Sequence, residues 1–342
     1  MGRQSSRMWF GNNDHKDIYF DGHYHKQMYF CDENKELSLV WEKLEDAAGF
    51  QFSALVTTYT LYLTIAGDFV IDWGDGTIQR YSKENLSRIY HEYSLQIGSY
   101  TVTISGNVTD LSFSANREIT KIINALPATL SNKEDFTDFF WQCEKLREIP
   151  SDLFSNCVGA KSFKKCFSES VIEEVPEGLF DACVNAEDFS SCFSECYNFN
   201  AVPSTLFANC NKALYFNSCF YNTEITRVPK GLFDNNPLVT NMAYCFYSSR
   251  IGMIEDNVFD SLQFVTNYNG CFAYCSQLTT VPYELFDKNY NAVNFEKTFF
   301  GCRNITTKVP PLWERDNVEE YTECYYAVNN AENYSEIPDD WK

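Results

Sequence analysis

From residue 124 to residue 342 the chain repeats one pattern eight times: an aliphatic pair, usually a proline, Leu-Phe, then Phe-x-x-Cys-Phe. The proline recurs at Pro150, Pro176, Pro203, Pro229, Pro282, Pro310 and Pro338, and Glu255 takes its place once, so successive units are 26 to 28 residues long. A fixed period in the twenties predicts a stack of coils in which each unit buries its apolar face only against its neighbours. Such a stack offers a long surface to a partner, which points to recognition rather than catalysis.

One unit shows the expected local structure. Ile225 and Val228 mark a short strand, and Pro229 stops its ladder and suits a helix start. Leu232-Phe233 then buries a helical turn. Val239, Met242, Cys245-Phe246 and Ser249 follow at three- to four-residue spacing, which predicts a second short helix. Equivalent strand pairs are Leu146/Ile149, Ile172/Val175, Phe199/Val202, Ile251/Ile254 and Leu278/Val281. The expectation is a parallel sheet along one side of the stack and helices along the other. The pattern resembles the BspA-like bacterial leucine-rich repeats in their Ile-Pro-x-x-Leu-Phe variant, which implies an α/β solenoid over 114–342.

Two β-rich segments precede the repeats. Residues 1–50 carry aromatic clusters about every ten residues (Met8-Trp9-Phe10, Ile18-Tyr19-Phe20, Met28-Tyr29-Phe30, Leu39-Val40-Trp41), separated by turn formers. His15, His23 and His25 beside Asp14, Asp17 and Asp21 read as polar turn residues, with a metal site as the alternative. In 51–113, Thr58 to Ile65 alternates as a strand should, and Phe69 to Thr77 ends a strand in an Asp-Gly turn. The ordered set Trp73-Gly74-Asp75-Gly76-Thr77, His91-x-Tyr93 and Gly98-x-Tyr100-x-Val102-x-Ile104 resembles the PKD-like immunoglobulin-type sandwich. That resemblance makes Trp73 and Asp75 structural residues of a packed core and a turn.

Fourteen cysteines raise the question of disulfides. Cys166, Cys192, Cys219, Cys245, Cys271 and Cys324 share one repeat position; Cys157, Cys183 and Cys210 form a second ladder, and Cys143, Cys196, Cys275 and Cys302 a third. Equivalent residues of stacked coils stand about 5 Å apart with parallel Cα–Cβ bonds, whereas a disulfide needs converging side chains. Buried free thiols are the expectation. Zinc is the rival at Cys192/Cys196 or Cys271/Cys275, but its other ligands would have to come from neighbouring coils, and no histidine follows His91.

The net charge of −20, from 27 basic and 47 acidic residues, disfavours nucleic acid and anionic membranes. No apolar run is long enough to span a bilayer, and no apolar stretch follows the basic residues of the first seven positions. Gly2 and Ser6 formally fit a myristoylation pattern without polybasic support. No phosphate loop, nucleophile elbow or zinc-protease motif occurs. The expectation is therefore no catalytic residues, no metal and no cofactor.

Two strips are candidate ligand contacts. The face between strand anchors carries Arg147, Glu148, Glu174, Asn200, Thr226, Arg227, Thr280 and Lys308; an aromatic edge carries Tyr215, Tyr221, Tyr244, Tyr247, Tyr268 and Tyr274. Tyrosine offers rigid area and a hydrogen-bonding tip suited to protein or glycan; the alternative is that these rings only shield the core. A β unit, a sandwich and a solenoid in series resemble tail-associated proteins of bacteriophages and phage-tail-like particles. That resemblance implies a virion protein whose N-terminal unit docks to other particle proteins and whose repeats touch a bacterial surface protein or glycan, with a homo-oligomer possible. A cell-surface adhesin and a purely structural decoration protein are the competing readings.

Overall fold

The computed structural model describes residues 49–93 and 97–342, together with the backbone of three strands nearer the N-terminus. It divides into two compact units, Met1–Gly49 and Phe50–Lys342. In the first, β1 (Ile18–Phe20), β2 (Gln27–Cys31) and β3 (Leu37–Glu42) form an antiparallel sheet in the order β1-β2-β3. These are three of the aromatic clusters expected to be strands. The Met8-Trp9-Phe10 cluster and His15, His23 and His25 lie outside the described residues.

The second unit opens with β4 (Phe50–Val56), β5 (Thr60–Asp72), β6 (Ile78–Glu92), β7 (Gly98–Ser112) and β8 (Ile119–Ile122), paired antiparallel in the order β6-β5-β7-β4-β8. Leu61, Leu63, Ile65, Phe69 and Ile71 are buried along β5 while Thr60, Tyr62, Thr64, Val70 and Asp72 are not, the period-two pattern of a half-buried strand. This corrects the expected two-sheet sandwich: all five strands belong to one sheet. Strands β5, β6 and β7 run 13 to 15 residues, and β5 carries a bulge at Gly67 against both neighbours. Gly67 has φ +120°, and a Cβ there would sit 2.0 Å from the Asn107 carbonyl oxygen, so only glycine fits.

The sheet runs into the repeats through β8, which lies beyond residue 113. Lys121 forms a parallel bridge to Glu148, the Arg147 N–H donates to the Thr120 carbonyl (3.0 Å) and the Ile122 N–H to that of Glu148 (3.0 Å). One column of parallel bridges then passes through all eight coils: Asp135, Ser162, Asp188, Tyr215, Asn241, Asn267, Asn294 and Glu320. The expected strand column becomes regular only at β9 (Arg227–Val228) and β10 (Met253–Ile254), extended by a bridge to Thr280.

The expected helices are absent among the described residues, which hold only four three-residue 3-10 turns. Over 242–249 every second residue reaches across to the next coil: Met242 to Asn267, Tyr244 to Asn269, Phe246 to Cys271 and Ser248 to Ala273, at 2.7–3.0 Å. The residues between them close turns on their own coil, Cys245 to Met242, Tyr247 to Tyr244 and Ser249 to Phe246. Two residues per coil are left-handed, at Asp138 and Gln142, then Lys165 and Glu169, and so on to Glu323 and Ala327. Left-handed residues cannot continue an α-helix. A run of three-residue turns also points every third or fourth side chain inward, and so reproduces a helical spacing without the helix.

Three columns of rings fill the core. Phe113, at the end of the sheet, starts the longest: Phe140, Phe167, Phe193, Phe220, Phe246, Phe272, Phe299 and Tyr325 follow at 5.3–5.8 Å between centroids, all within 11° of parallel. Trp341 stacks on Tyr321 at 4.5 Å, and its carbonyl accepts the Tyr325 N–H.

The thirteen described cysteines are free and buried. The third ladder has a defined task. Cys143, Cys196, Cys275 and Cys302 donate to the carbonyls of Phe113, Phe167, Phe246 and Phe272 one coil back, at 3.0–3.3 Å, and Ser249 does the same for Phe220 at 2.7 Å. Burial pushes the Cys196 and Cys275 thiols up to about 12. A thiol reacts as its thiolate, so in the folded protein at pH 8 no more than one thiol per chain should react with Ellman's reagent, Cys31 lying outside the described side chains. All fourteen should react once urea unfolds the chain. Several fast-reacting thiols in the native state would refute the burial.

Candidate recognition surface

The sheet brings the Trp-Gly-Asp-Gly-Thr and His-x-Tyr motifs into one cluster. Trp73 stacks on His91 (4.7 Å, 9°), His91 Nε2 lies 2.8 Å from Asp75 Oδ2, and the Tyr93 hydroxyl donates to the Trp73 carbonyl at 2.9 Å. Burial opposes ionisation of Asp75, but hydrogen bonds from His91 and Thr77 outweigh it and hold the carboxyl below its usual range. Trp73 and Tyr93 are buried. The cluster ties the exposed Asp75 turn to the buried core.

The polar face is mostly self-paired. Arg147 bonds Glu173 (2.5 Å), Lys121 bonds Glu148 (2.5 Å), Arg227 lies 3.4 Å from Glu255 and Lys308 4.0 Å from Glu332. Each pair joins one coil to the next. Such exposed pairs contribute at most about 1 kcal/mol each. Glu174 and Thr280 are exposed on the same face.

Further along the same face, Asn200 and Thr226 line a shallow open groove of about 570 Å3. Its outer coils supply Asn198, Asn200 and Gln277. Its middle coils supply Glu224, Thr226, Arg250 and Gly252, with Arg250 bonded to Glu224 at 2.6 Å. Glu224, Arg250 and Gln277 each stand three residues beyond a tyrosine of the aromatic edge: Tyr221, Tyr247 and Tyr274.

That edge is a continuous row. Tyr221 and Tyr247 stack at 4.8 Å and 2°; Tyr247 meets Tyr244 at 5.9 Å and Tyr274 at 5.3 Å. Tyr274 meets Phe300 at 5.1 Å, and Phe300 stacks on Tyr326 at 4.7 Å. Tyr244, Tyr274 and Tyr326 are exposed, while Tyr221, Tyr247 and Phe300 are half-buried. Two expected members fall outside it. Tyr268 is fully buried, because it occupies a core-phenylalanine position and stacks on Phe295 at 5.6 Å. Tyr215 is exposed but belongs to the bridge column. Phe300 and Tyr326 were legible: they repeat the position of Tyr221 and Tyr247.

Two of the rings lie over glycines. Tyr244 covers Gly270, where a Cβ would come within 2.6 Å of its ring, and Tyr274 covers Gly301 at 3.2 Å. In each case tyrosine and glycine hold the same left-handed position in successive coils. Gly270→Ala should cost about 1–2 kcal/mol, read as a lowered urea midpoint, with the Tyr244 ring displaced from the row. An unchanged midpoint would mean that Tyr244 is free to move.

Among the described residues, no group of three or more His, Cys, Asp or Glu side chains is placed to hold a metal ion, and no helix is long and apolar enough to cross a membrane. No family model and no curated protein matches the chain. Among solved structures it overlaps the Toll–Spatzle complex of Drosophila development and innate immunity (14% identity, TM-score 0.28, 49% of this chain and 25% of that one). It also overlaps the LRIM1/APL1C complex (15% identity, TM-score 0.24, 45% and 24%). The chain thus spans about a quarter of each of those proteins. The repeated hydrogen-bond and ring columns define the fold.

Proposed function

We propose that this is a non-catalytic recognition protein that engages its partner through the aromatic row of its repeats. The observation that carries the reading is that row. Six contiguous rings, three of them exposed, line one edge of the stack, although the core columns are complete without them. Exposed contiguous aromatic surface marks interaction sites, and tyrosine is enriched where binding energy concentrates. The BspA-like resemblance of the repeats and the serial layout of β unit, sheet and stack favour a receptor-binding component of a phage tail or tail-like particle. On that reading the N-terminal unit docks to the particle and the repeats contact the bacterial surface. Immunogold electron microscopy of a producing culture tests it, using antibody raised against the intact chain. Label at the tips of tail-like particles is expected. Label spread over the cell envelope would make the protein a surface adhesin instead. Particle label combined with adsorption that survives deletion of the protein would make it a structural decoration.

A further inference from the structure

The groove beside the aromatic row has a specific origin. One backbone column links the coils on this face: Arg147 donates to Thr120, Glu173 to Arg147, Thr226 to Asn200, Gly252 to Thr226, Thr279 to Gly252 and Thr306 to Thr279. Every member except Gly252 projects a side chain. The backbone does not demand glycine there: its φ lies outside the left-handed range, and a Cβ would meet nothing closer than 3.7 Å. The missing side chain opens the space that Asn198, Asn200, Thr226 and Gln277 surround.

We infer that this groove binds an uncharged pyranose unit of a surface glycan, an assignment that rests on the recognition reading above. Its size falls within the roughly 300–1,000 Å3 of small-molecule sites. Its charge sums to zero, because Glu224 and Arg250 neutralise each other. An anionic ligand would find no unpaired cation and a chain of net charge −20; a cationic one would have to break the pair. An apolar ligand would strip water from the Asn200 and Gln277 carboxamides and the Thr226 hydroxyl, whose side chains have no hydrogen-bond partner among the described residues, and would return nothing for it. An extended peptide has no strand edge to join, since the coils already hydrogen-bond to each other along the column. Vicinal hydroxyls fit what remains: carboxamides that donate and accept, plus an arginine–carboxylate pair that can do both. Tyr274, 48% exposed and three residues before Gln277, lies outside the groove lining but offers a ring on the same coil to a neighbouring unit of a longer glycan.

The test is titration calorimetry of the intact chain with soluble neutral oligosaccharides (gluco-, manno-, galacto- and N-acetylhexosamine-based), repeated on Gly252→Gln. The variant fills the groove at a position with room for a side chain, so its melting temperature should match the parent's. Saturable binding of at least one oligosaccharide, weakened tenfold or more by G252Q, is expected. No binding across the panel, or equal binding by the variant, overturns the inference. Cell binding before and after periodate oxidation separates the two levels. Equal binding to oxidised and untreated cells would sink the glycan and leave recognition standing; no binding to any cell would remove the recognition reading itself.

Discussion

Phe220→Ala is expected to cost roughly 3–5 kcal/mol of folding free energy, against a total of roughly 5–15 for a protein domain. The Phe220 ring is fully buried and stacks between Phe193 (5.8 Å) and Phe246 (5.4 Å), with Phe199 and Phe207 at 6.1 and 6.2 Å. In a stack, each coil is stabilised almost wholly by its two neighbours. A cavity at this central rung should therefore weaken the coupling between halves as well as the local coil. Urea unfolding should show a lower midpoint and a broadened or two-step transition; Phe220→Leu, which keeps most of the volume, should lose less and remain a single step. A loss below about 1.5 kcal/mol with one sharp transition would mean that the ring column is not what couples the coils.

The sequence carried the repeat because burial here is one-dimensional. Every inward position recurs at the same offset, so Phe220, Cys219 and Ile225 announce themselves through their equivalents in other coils. The helices failed for a reason visible in the backbone. Left-handed residues at Tyr244 and Ser248, four positions apart, turn the chain, and three- to four-residue apolar spacing cannot distinguish that from an α-turn. Composition gave little cue, since lysine, glutamate and serine hold many of these positions and glycine only two, Gly270 and Gly301. The sandwich expectation failed differently: strand alternation reports which face is buried, not whether the strands divide into two sheets. The site was half legible. Tyr221, Tyr247 and Tyr274 could be read as an edge, but Tyr268 looked the same and is core, because tyrosine can replace phenylalanine inside the stack. The groove was missed because its signal is an absent side chain: Gly252 stands out only once the hydrogen-bond column supplies the register that aligns it with Thr226 and Thr279.

The second large effect concerns binding. Tyr247 is the centre of the aromatic row, touching Tyr221, Tyr244 and Tyr274 at once. It is half-buried, so its removal frees its neighbours to rotate and, on the recognition reading proposed above, also loses contact with the partner. Central, partly desolvated tyrosines are where truncation costs 2 kcal/mol or more, equivalent to at least about thirtyfold in affinity. Tyr247→Ala should therefore reduce binding of fluorescently labelled chain to receptive bacterial cells by that factor. The stability cost should stay near the 0.5–1.5 kcal/mol of an aromatic pair, too little to unfold the stack. Tyr90→Ala, which removes an equally large ring exposed on the sheet, should leave cell binding unchanged. Because Tyr221 and Tyr247 are stacked, their double substitution should lose less than the sum of the two single losses. Full binding by Tyr247→Ala would return these rings to the role of a shield over the coils and move the search for the contact surface to the polar face.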